Sequence, residues 1–467
     1  MSLFLIVVLV IITLANYRKS PFQPPREIRI AVPRQERIFT SLSPYGKGFE
    51  RDLAMLFAKS ADVKPLWIPV DTLRAGYKLL QQGKVDLFIG TGFTPSRDPK
   101  KSSIVAGPIY DYSQPLLMHH VRRYSLRNPE DMCSSEVFMQ PNTTLRDAFH
   151  ETFVEMECPP KLFTTSSVAL RPILERFNSS KAVRFFVLDS NAVQPWEPFF
   201  PQLRPVRNLD GALPYRWFWG EDSWFNGPLN SFWKKTNQST ILPNLQEKYF
   251  GFFNTTTDYH ELFLLRQAVR QANSKYKDTI LYHSHKRGLD PLLVMAVIFQ
   301  ESRFDASARS RTGVRGLMQL TQATAARYGV TNRHDPKQSI KGGVAYLSYL
   351  WKKMKDARLT PWNHMAYTLA AYNQGPGHIY DAMTLAEELG KNPYEWADLK
   401  QVLPLLSKKK YYSKTKHGKS RGWEAVTYVD NIRYYYYTLY GSGILLRSGF
   451  HTRELEDLTP FLTDLTG

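Results

Sequence analysis

The sequence predicts a multidomain protein: a two-lobed α/β domain followed by an all-α domain. Three observations predict it. The chain has 467 residues, more than one ordinary core accommodates. Short apolar runs alternate with amphipathic stretches from about Arg26 to Gly251. Beyond Thr255 strand signals fade, and helical periodicity dominates from Tyr259 to Tyr440. With 43% hydrophobic and 22% charged residues, the composition is that of a folded chain and excludes a disordered one.

Residues 1–25 come first. Leu3 to Ala15 is an unbroken run of apolar residues and Thr13, followed by Asn16, Tyr17, Arg18 and Lys19. A membrane-spanning helix needs about 20 apolar residues, so the run suits a signal-peptide core better. The basic pair follows the run instead of preceding it, which keeps a retained membrane anchor as the alternative. No cysteine adjoins the segment, so a lipid-modified cysteine is not expected there. Export is the expectation. In an oxidising compartment Cys133 and Cys158, the two cysteines of the chain, can form a disulfide; two unrelated buried thiols are the alternative. A formal charge of +19 favours anionic partners, among which nucleic acid, lipid headgroups and an anionic cell wall all qualify.

The α/β domain is expected over 26–255, with lobe 1 at about 26–120 and lobe 2 at about 121–214. Glu27 to Pro33 reads as a strand, because Ile28, Ile30 and Val32 alternate with polar or small partners. Gly48 to Val63 reads as a helix with Leu53, Leu56 and Phe57 on one face. A strand (KPLWIPV), a helix stopped by Gly83 and a buried strand from Val85 to Gly92 follow. This rhythm implies a mainly parallel sheet with helices on both faces. The second lobe repeats the texture, with Arg184 to Leu188 as a buried strand, and a helical segment ends at Gly251.

A linker is expected at 256–269, the all-α domain at 270–440 and a C-terminal extension at 441–467. Asp290 as N-cap with Pro291 at the first helical position is a strong start signal for an apolar helix that reaches Glu301. Four motifs lie in this half: Gln300–Glu301–Ser302, GVRGLMQL (Gly313 to Leu320), AAYNQGPGHI (Ala370 to Ile379) and YVDNI (Tyr428 to Ile432). A carboxylate beside apolar walls has its charged form disfavoured, so its pKa rises and it can serve as a general acid near neutral pH. Glycoside hydrolysis generally uses two carboxylates. Within the motif cores Asp430 is the one other acid, and Asp305 lies in RFDASARS, which reads as a loop.

These four motifs in this order resemble the lysozyme-like domain of the soluble lytic transglycosylase family. The stretches ARSRTGVRGLMQLTQATAARYGV, DPKQSIKGGVAYL and AAYNQGPGHIYDA are most similar to its membrane-bound F branch. The resemblance implies Glu301 as the catalytic acid and a small polar contact to the sugar from Ser310. It implies a glycan groove lined by Met318 and Gln319, with Tyr372, Asn373 and Tyr428 flanking the carboxylate. It also implies cleavage of the bond between N-acetylmuramic acid and N-acetylglucosamine in peptidoglycan, without water, leaving 1,6-anhydromuramoyl ends. No metal or cofactor is expected: HExxH, CxxC and acidic calcium-loop patterns are absent from the sequence. His283, His285 and His378 read as surface or packing residues.

The first half resembles the extracellular solute-binding proteins of the amino-acid type, a periplasmic-binding-protein-like fold. GFERDLAMLFA, LLQQGKVDLFIGTGFTPSRDPK and GPIYDYSQPLL carry the likeness in lobe 1, VRFFVLDSNAV in lobe 2 and LQEKYFG at the closing helix. It implies a ligand carboxylate on Arg97, a hydroxyl from Thr94 and a ligand amino group on Asp189. Gly92 departs from the hydroxyl residue usual at its position. A muropeptide or amino acid is the implied ligand, with a regulatory effect on the enzyme. The basic stretch Ser407 to Glu424 interleaves Lys and Arg with Tyr411, Tyr412 and Trp423. In an exported wall enzyme it points to glycan, stem-peptide carboxylates or a membrane surface ahead of nucleic acid; a merely solvated loop is the alternative. The resulting expectation is an enzyme in the periplasm, peripheral to the outer membrane. A solute sensor whose lysozyme-like module merely holds glycan is the alternative, and a water-using muramidase is a third reading.

Overall fold

The structure, a computed structural model, describes residues 25–38, 40–93, 103–120, 132–133, 135–154, 157–179, 185–253 and 258–449. The expected leader and anchor, Thr94 and Arg97 lie outside them. The first elements follow the sequence rhythm: β1 (Glu27–Pro33), α1 (Phe49–Ser60), β2 (Lys64–Val70), α2 (Leu73–Gln81) and β3 (Leu87–Thr91). Ile28, Ile30 and Val32 of β1 and Leu87 and Ile89 of β3 pack on one side with Leu53 and Phe57 of α1. Ala31 and Phe88 face the other side, against Leu73 and Leu80 of α2. Period-two alternation thus covers both faces of one sheet. Leu56 does not join the buried face of α1; it is exposed, whereas Phe49, Leu53, Ala54, Phe57 and Ala58 are buried.

Next come β4 (Ile104–Ala106), β5 (Asp111–Ser113), β6 (Pro115–His120), β7 (Glu136–Met139), α3 (Thr143–Phe153), β8 (Lys161–Thr164) and α4 (Leu170–Ser179). They are followed by β9 (Phe185–Asp189), α5 (Ser190–Val193), a 3-10 helix (Gln194–Phe199), β10 (Leu203–Asn208), β11 (Leu213–Gly220), α6 (Asn226–Asn237) and α7 (Ile241–Phe250). One sheet has the order β2-β1-β3-β11-β4, with β5 also on β11; the other has the order β10-β6-β9-β7-β8. β1 pairs in parallel with β2 and β3, and β11 runs antiparallel to β3.

The lobe boundaries differ from the expected ones. The chain crosses to the second sheet at Gln114, between β5 and β6, and returns between β10 and β11. Lobe 2 therefore holds β6 through β10, and β11, α6 and α7 complete lobe 1. Ser113 and Pro115 flank the crossing, but the chain stays extended there while it changes sheets, so its period-two pattern does not mark the boundary. Cys133 and Cys158 are joined by a disulfide.

The C-terminal half comprises α8 (Tyr259–His285), α9 (Pro291–Ser302), α10 (Gln322–Arg327), α11 (Pro336–Lys353), α12 (Pro361–Gln374), α13 (Pro376–Glu388), α14 (Trp396–Val402), a 3-10 helix (Leu403–Ser407), α15 (Lys409–Tyr412) and α16 (Gly422–Arg447). The expected linker at 256–269 is, from Tyr259 onward, the start of α8, capped by Asp258, whose carboxylate accepts from Glu261 N. The expected boundary at 440 falls inside α16. Asp290 caps α9 by accepting from Leu292 N at 2.7 Å, and every residue from Pro291 to Phe299 is buried. A helix apolar all round belongs in the centre of a core.

The two halves share that core. Trp196, Phe199, Phe200 and Leu203 of lobe 2 lie in one continuous apolar cluster with α8, α9 and α16. Gly441 of α16 abuts Phe199 so closely that a Cβ would collide with the ring. The fully buried Arg433 reaches from α16 to the last turn of α7, donating to Glu247 Oε1 and to the carbonyls of Glu247 and Lys248 at 2.7–3.0 Å. A cation there meets the negative end of the helix dipole and its orphan carbonyls.

Candidate active site

Glu301 is the second-last residue of α9, where a buried helix emerges at the surface of its domain. Arg303 ends the helix in the left-handed region, φ 49°, with its N–H on Phe299 O. The chain then turns away, and the carboxylate is left at the mouth of the packed core. Protein surrounds it closely, though a part of the side chain still meets solvent.

Helix α16 holds it from one side. Tyr428 donates its hydroxyl to Glu301 Oε1 at 2.6 Å. Eight residues on, Tyr436 donates to Asp290 Oδ2 at 2.7 Å, and Tyr435 donates to Glu261 Oε1 at 2.9 Å while its ring meets Phe299 edge-on at 4.8 Å. Positions seven and eight apart share a helix face, so one stripe of α16 fixes both ends of α9. The helices run antiparallel, because Tyr428 meets the end of α9 and Tyr436 its start.

The GLMQL loop closes the other side. Ser302 Oγ donates to Leu317 O at 2.9 Å, and Tyr372 of α12 donates its hydroxyl to Met318 O at 2.9 Å. Gln319 takes φ 45° and spends its amide nitrogen on Ala308 O and Gly316 O, at 3.2 and 2.8 Å. Gly316 sits at φ 79° against Arg333 O, where a Cβ would collide, so a side chain is excluded twice over.

Burial drives the Glu301 pKa up to about 7; the Tyr428 hydrogen bond, which favours the charged form, opposes this only in part. Burial and the nearby Glu301 charge hold the phenols of Tyr372 and Tyr428 well above the ordinary value, so both remain donors at physiological pH. The other acids discussed above are engaged elsewhere. Asp430 pairs with Lys400 at 2.8 Å and lies 3.6 Å from Arg433. Asp305 accepts from Ser307 N and Oγ at 2.8 and 2.6 Å, which lowers its pKa and ties it into its own loop.

The structure therefore brings Glu301, Tyr372 and Tyr428 together. The Met318 side chain does not line a groove: it is fully buried against Gly343 of α11, and its carbonyl alone meets Tyr372. An apolar side chain in a tight loop is drawn into the core, while the backbone faces the site. Ser310 shares a hydrogen bond with Thr312 at 2.9 Å and braces the loop by accepting from Val314 N. Asn373 is exposed and accepts from Gln374 Nε2 at 2.7 Å. The motifs include Ser302, which adjoins Glu301, without giving it a role, and do not include Tyr346 of α11. The Tyr346 ring lies 5.2 Å from Tyr372 and continues toward Tyr328 and Tyr349 at 6.2 and 6.4 Å. Its signal was the i, i+3 pair Tyr346 and Tyr349 in AYLSYL, which reads equally as core.

In the N-terminal half, Asp189 is buried and its oxygens are taken by the protein. Oδ1 accepts from Ser113 Oγ and from the amides of Asn191 and Ala192, and Oδ2 accepts from Tyr215 at 2.6 Å. Gly92, at φ 64°, lies against the same carboxylate, and a Cβ there would come within 3.2 Å of Oδ2. A cavity of about 450 Å³ lies elsewhere between the lobes, bounded by Arg34, Glu36 and Trp67 on one side and Leu170, Arg171 and Trp196 on the other.

Comparison with known proteins agrees with the helical half. A family model described as the transglycosylase SLT domain matches residues 278–394. Membrane-bound lytic murein transglycosylase F of Shewanella baltica (strain OS155) is 33% identical over 427 residues, covering 90% of this chain and 87% of that protein. The protein of the same name from Shewanella loihica is 33% identical over 429 residues, with 89% and 86% covered. Among solved structures, an ancestral arginine-binding protein bound to arginine is 20% identical with a TM-score of 0.41, covering 49% of this chain and 100% of that one. With one third of its residues shared across nine-tenths of its length, the chain belongs to the membrane-bound lytic murein transglycosylase F family.

Proposed function

We propose that Glu301 cleaves the N-acetylmuramic acid to N-acetylglucosamine bond by acting first as acid and then as base, leaving a 1,6-anhydromuramoyl end. A single observation carries this reading: Glu301 is a largely enclosed carboxyl with one hydrogen-bond donor and, among the described residues, no second acid engaged beside it. A pKa of about 7 keeps much of it protonated at neutral pH, ready to protonate the glycosidic oxygen. With no partner carboxylate to act as nucleophile, the substrate supplies its own. The N-acetyl group of the muramic sugar stabilises the anomeric centre, the Glu301 carboxylate takes the proton of the C6 hydroxyl, and that oxygen closes onto C1. Tyr428 steadies the carboxylate in its ionised phase. Ser310, Gln319, Tyr372 and Asn373 border the path of the glycan, and Met318 contributes through its carbonyl. Mass spectrometry of digested sacculi tests the proposal: anhydro ends are expected, and hydrated reducing ends alone would refute it.

The N-terminal domain is proposed to bind an amino acid or muropeptide and to regulate cleavage. Support comes from the cavity between the lobes, lined by Trp67, Arg34 and Arg171; Arg34 pairs with Asp71 and Arg171 with Glu175, so a ligand carboxylate would share or replace those acids. Arg433 gives lobe 1 a direct hold on α16, the helix that carries Tyr428. Asp189 could reach a ligand only by giving up Tyr215 or Ser113. Calorimetry with muropeptides tests it, and absence of heat would remove it. The proposed location is the periplasm, at the outer membrane surface. Among the described residues no helix is long and apolar enough to cross a membrane.

A further inference from the structure

Away from the Glu301 site, a dense run of positive charge lies between Lys408 and Arg421. The segment holds Lys408, Lys409, Lys410, Lys414, Lys416, Lys419 and Arg421, and the sequence has no acid between Asp398 and Glu424. All seven side chains are exposed. Arg421 pairs with Glu424 at 2.8 Å, and none of the six lysines has an acid partner among the described residues.

The loop is built in spite of that repulsion. Asp381 of α13 accepts from Lys416 N and His417 N at 3.2 and 2.9 Å. Ser420 donates its N–H to Leu406 O at 3.1 Å and its hydroxyl to Gln374 Oε1 at 2.9 Å. The His417 ring covers Gly377, and Gly422 abuts Leu403 O, places where a Cβ would clash. These bonds are neutral or use the backbone; none offsets the lysine charges. A loop held this firmly, with its cations turned to solvent, is arranged for an anionic partner.

Its position says which one. Gln374, which anchors Ser420, also donates to Asn373 beside the catalytic site. From Gly422 to Tyr428 is six residues of one helix, about 9 Å along its axis. A peptide of four extended residues spans about 13 Å, so a stem peptide attached near the cleaved bond reaches the loop. Of the three aromatic residues of the stretch Tyr411 and Tyr412 are half-buried and Trp423 alone is exposed, so it offers no series of rings on which successive bases could stack.

We propose that this loop docks the carboxylates of stem peptides carried by the glycan strand in the groove, and so makes the enzyme prefer peptide-bearing strands. The proposal rests on the reading that the groove takes peptidoglycan glycan. The test compares kcat/KM on peptide-bearing strands and on amidase-stripped strands, at low and high salt, for the full chain. Replacing Lys414, Lys416 and Lys419 together by Gln is expected to lower the ratio of the two rates about tenfold at low salt and less at high salt. Replacing the same three by Arg is expected to keep the ratio. A ratio unmoved by the Gln variant overturns the proposal, as does an equal loss on both substrates. Loss confined to binding of phosphatidylglycerol vesicles overturns it too, and assigns the loop to a membrane surface. Glu301→Gln separates the two readings: if that enzyme still cut both substrates, the catalytic reading would fail while the ratio stayed readable.

Discussion

Two buried carboxylate sites, one in each half of the protein, show what distinguishes a reactive acid from a structural one. Glu50 in lobe 1 is fully buried and faces Arg37 at 3.4 Å, Tyr110 at 2.7 Å and Trp217 Nε1 at 3.2 Å. Arg37 is itself buried among the rings of Phe49, Tyr215 and Phe250, within 4.5–4.7 Å of each centroid, and also pairs with Asp111. Glu301 has Tyr428 and, among the described residues, no cation. Burial raises both pKa values. The difference lies in partners: an arginine and two donors fix Glu50 in place and offset part of the cost of its burial, whereas Glu301 can exchange its proton without leaving a buried cation unpaired. Desolvation makes an acid, and a sparse set of partners leaves it free to act as one.

Breaking each site should therefore give opposite signatures. The largest effect is expected from Glu301→Gln, which should slow release of soluble fragments from sacculi by about 10³-fold or more, since no neighbouring acid can substitute. Residual cleavage within tenfold of wild type would erase the contrast. Glu50→Ala should destabilise the fold by about 3–5 kcal/mol in denaturant titrations, because Arg37 loses a partner in a dry site. A cost below about 1 kcal/mol would mean that Asp111 alone is enough to balance Arg37.

Stability against pH sharpens the comparison. The Glu301 pKa is raised from 4.5 to about 7, so the folded state keeps a proton that the unfolded chain has released across that window. Stability contributed by the neutral acid is complete below the unfolded value and is lost as pH rises through the folded one. Glu301→Gln should thus gain little at pH 4 and about 2 kcal/mol over wild type by pH 8. Melting curves at both pH values check the sign; a gain at pH 4 alone would reverse it.

The smallest effect concerns Tyr428. The acid form of Glu301 is needed first, so kcat/KM should fall as pH rises past about 7. Tyr428→Phe removes a bond that favours the ionised form, moving this limb to higher pH by about half a unit and lowering the maximum about tenfold. A pH–rate profile with an unmoved limb would show that the tyrosine only packs.

The helical half was more legible in the sequence than the cleft between the lobes. The Asp290–Pro291 start and the apolar run to Glu301 are local signals, and the central helix of the core follows them. Glu301 and Tyr428 were legible through short motifs, although 127 positions separate them. The lobe crossing at Gln114 was not, since the chain stays extended as it changes sheets there and its strand pattern runs on through Ser113 and Pro115. The start of α8 was missed because a helix joining two domains carries a linker's location with a helix's composition. Met318 and Asp189 show the remaining limit: residue type states what a side chain can do, and neighbours far along the chain decide whether it is free to do it.

By itself the sequence determined the strand and helix rhythm, the helix caps, the glycines that let loops close and the presence of a carboxyl at the end of a greasy helix. These depend on residues within a few turns of one another. Tertiary structure alone decided that Asp430 is engaged by Lys400, that Asp189 is sealed by Tyr215 and that Glu301 meets one phenol and no cation among the described residues. Proton affinity is set by the dielectric and charges within a few ångströms, and those arrive only when distant segments pack together.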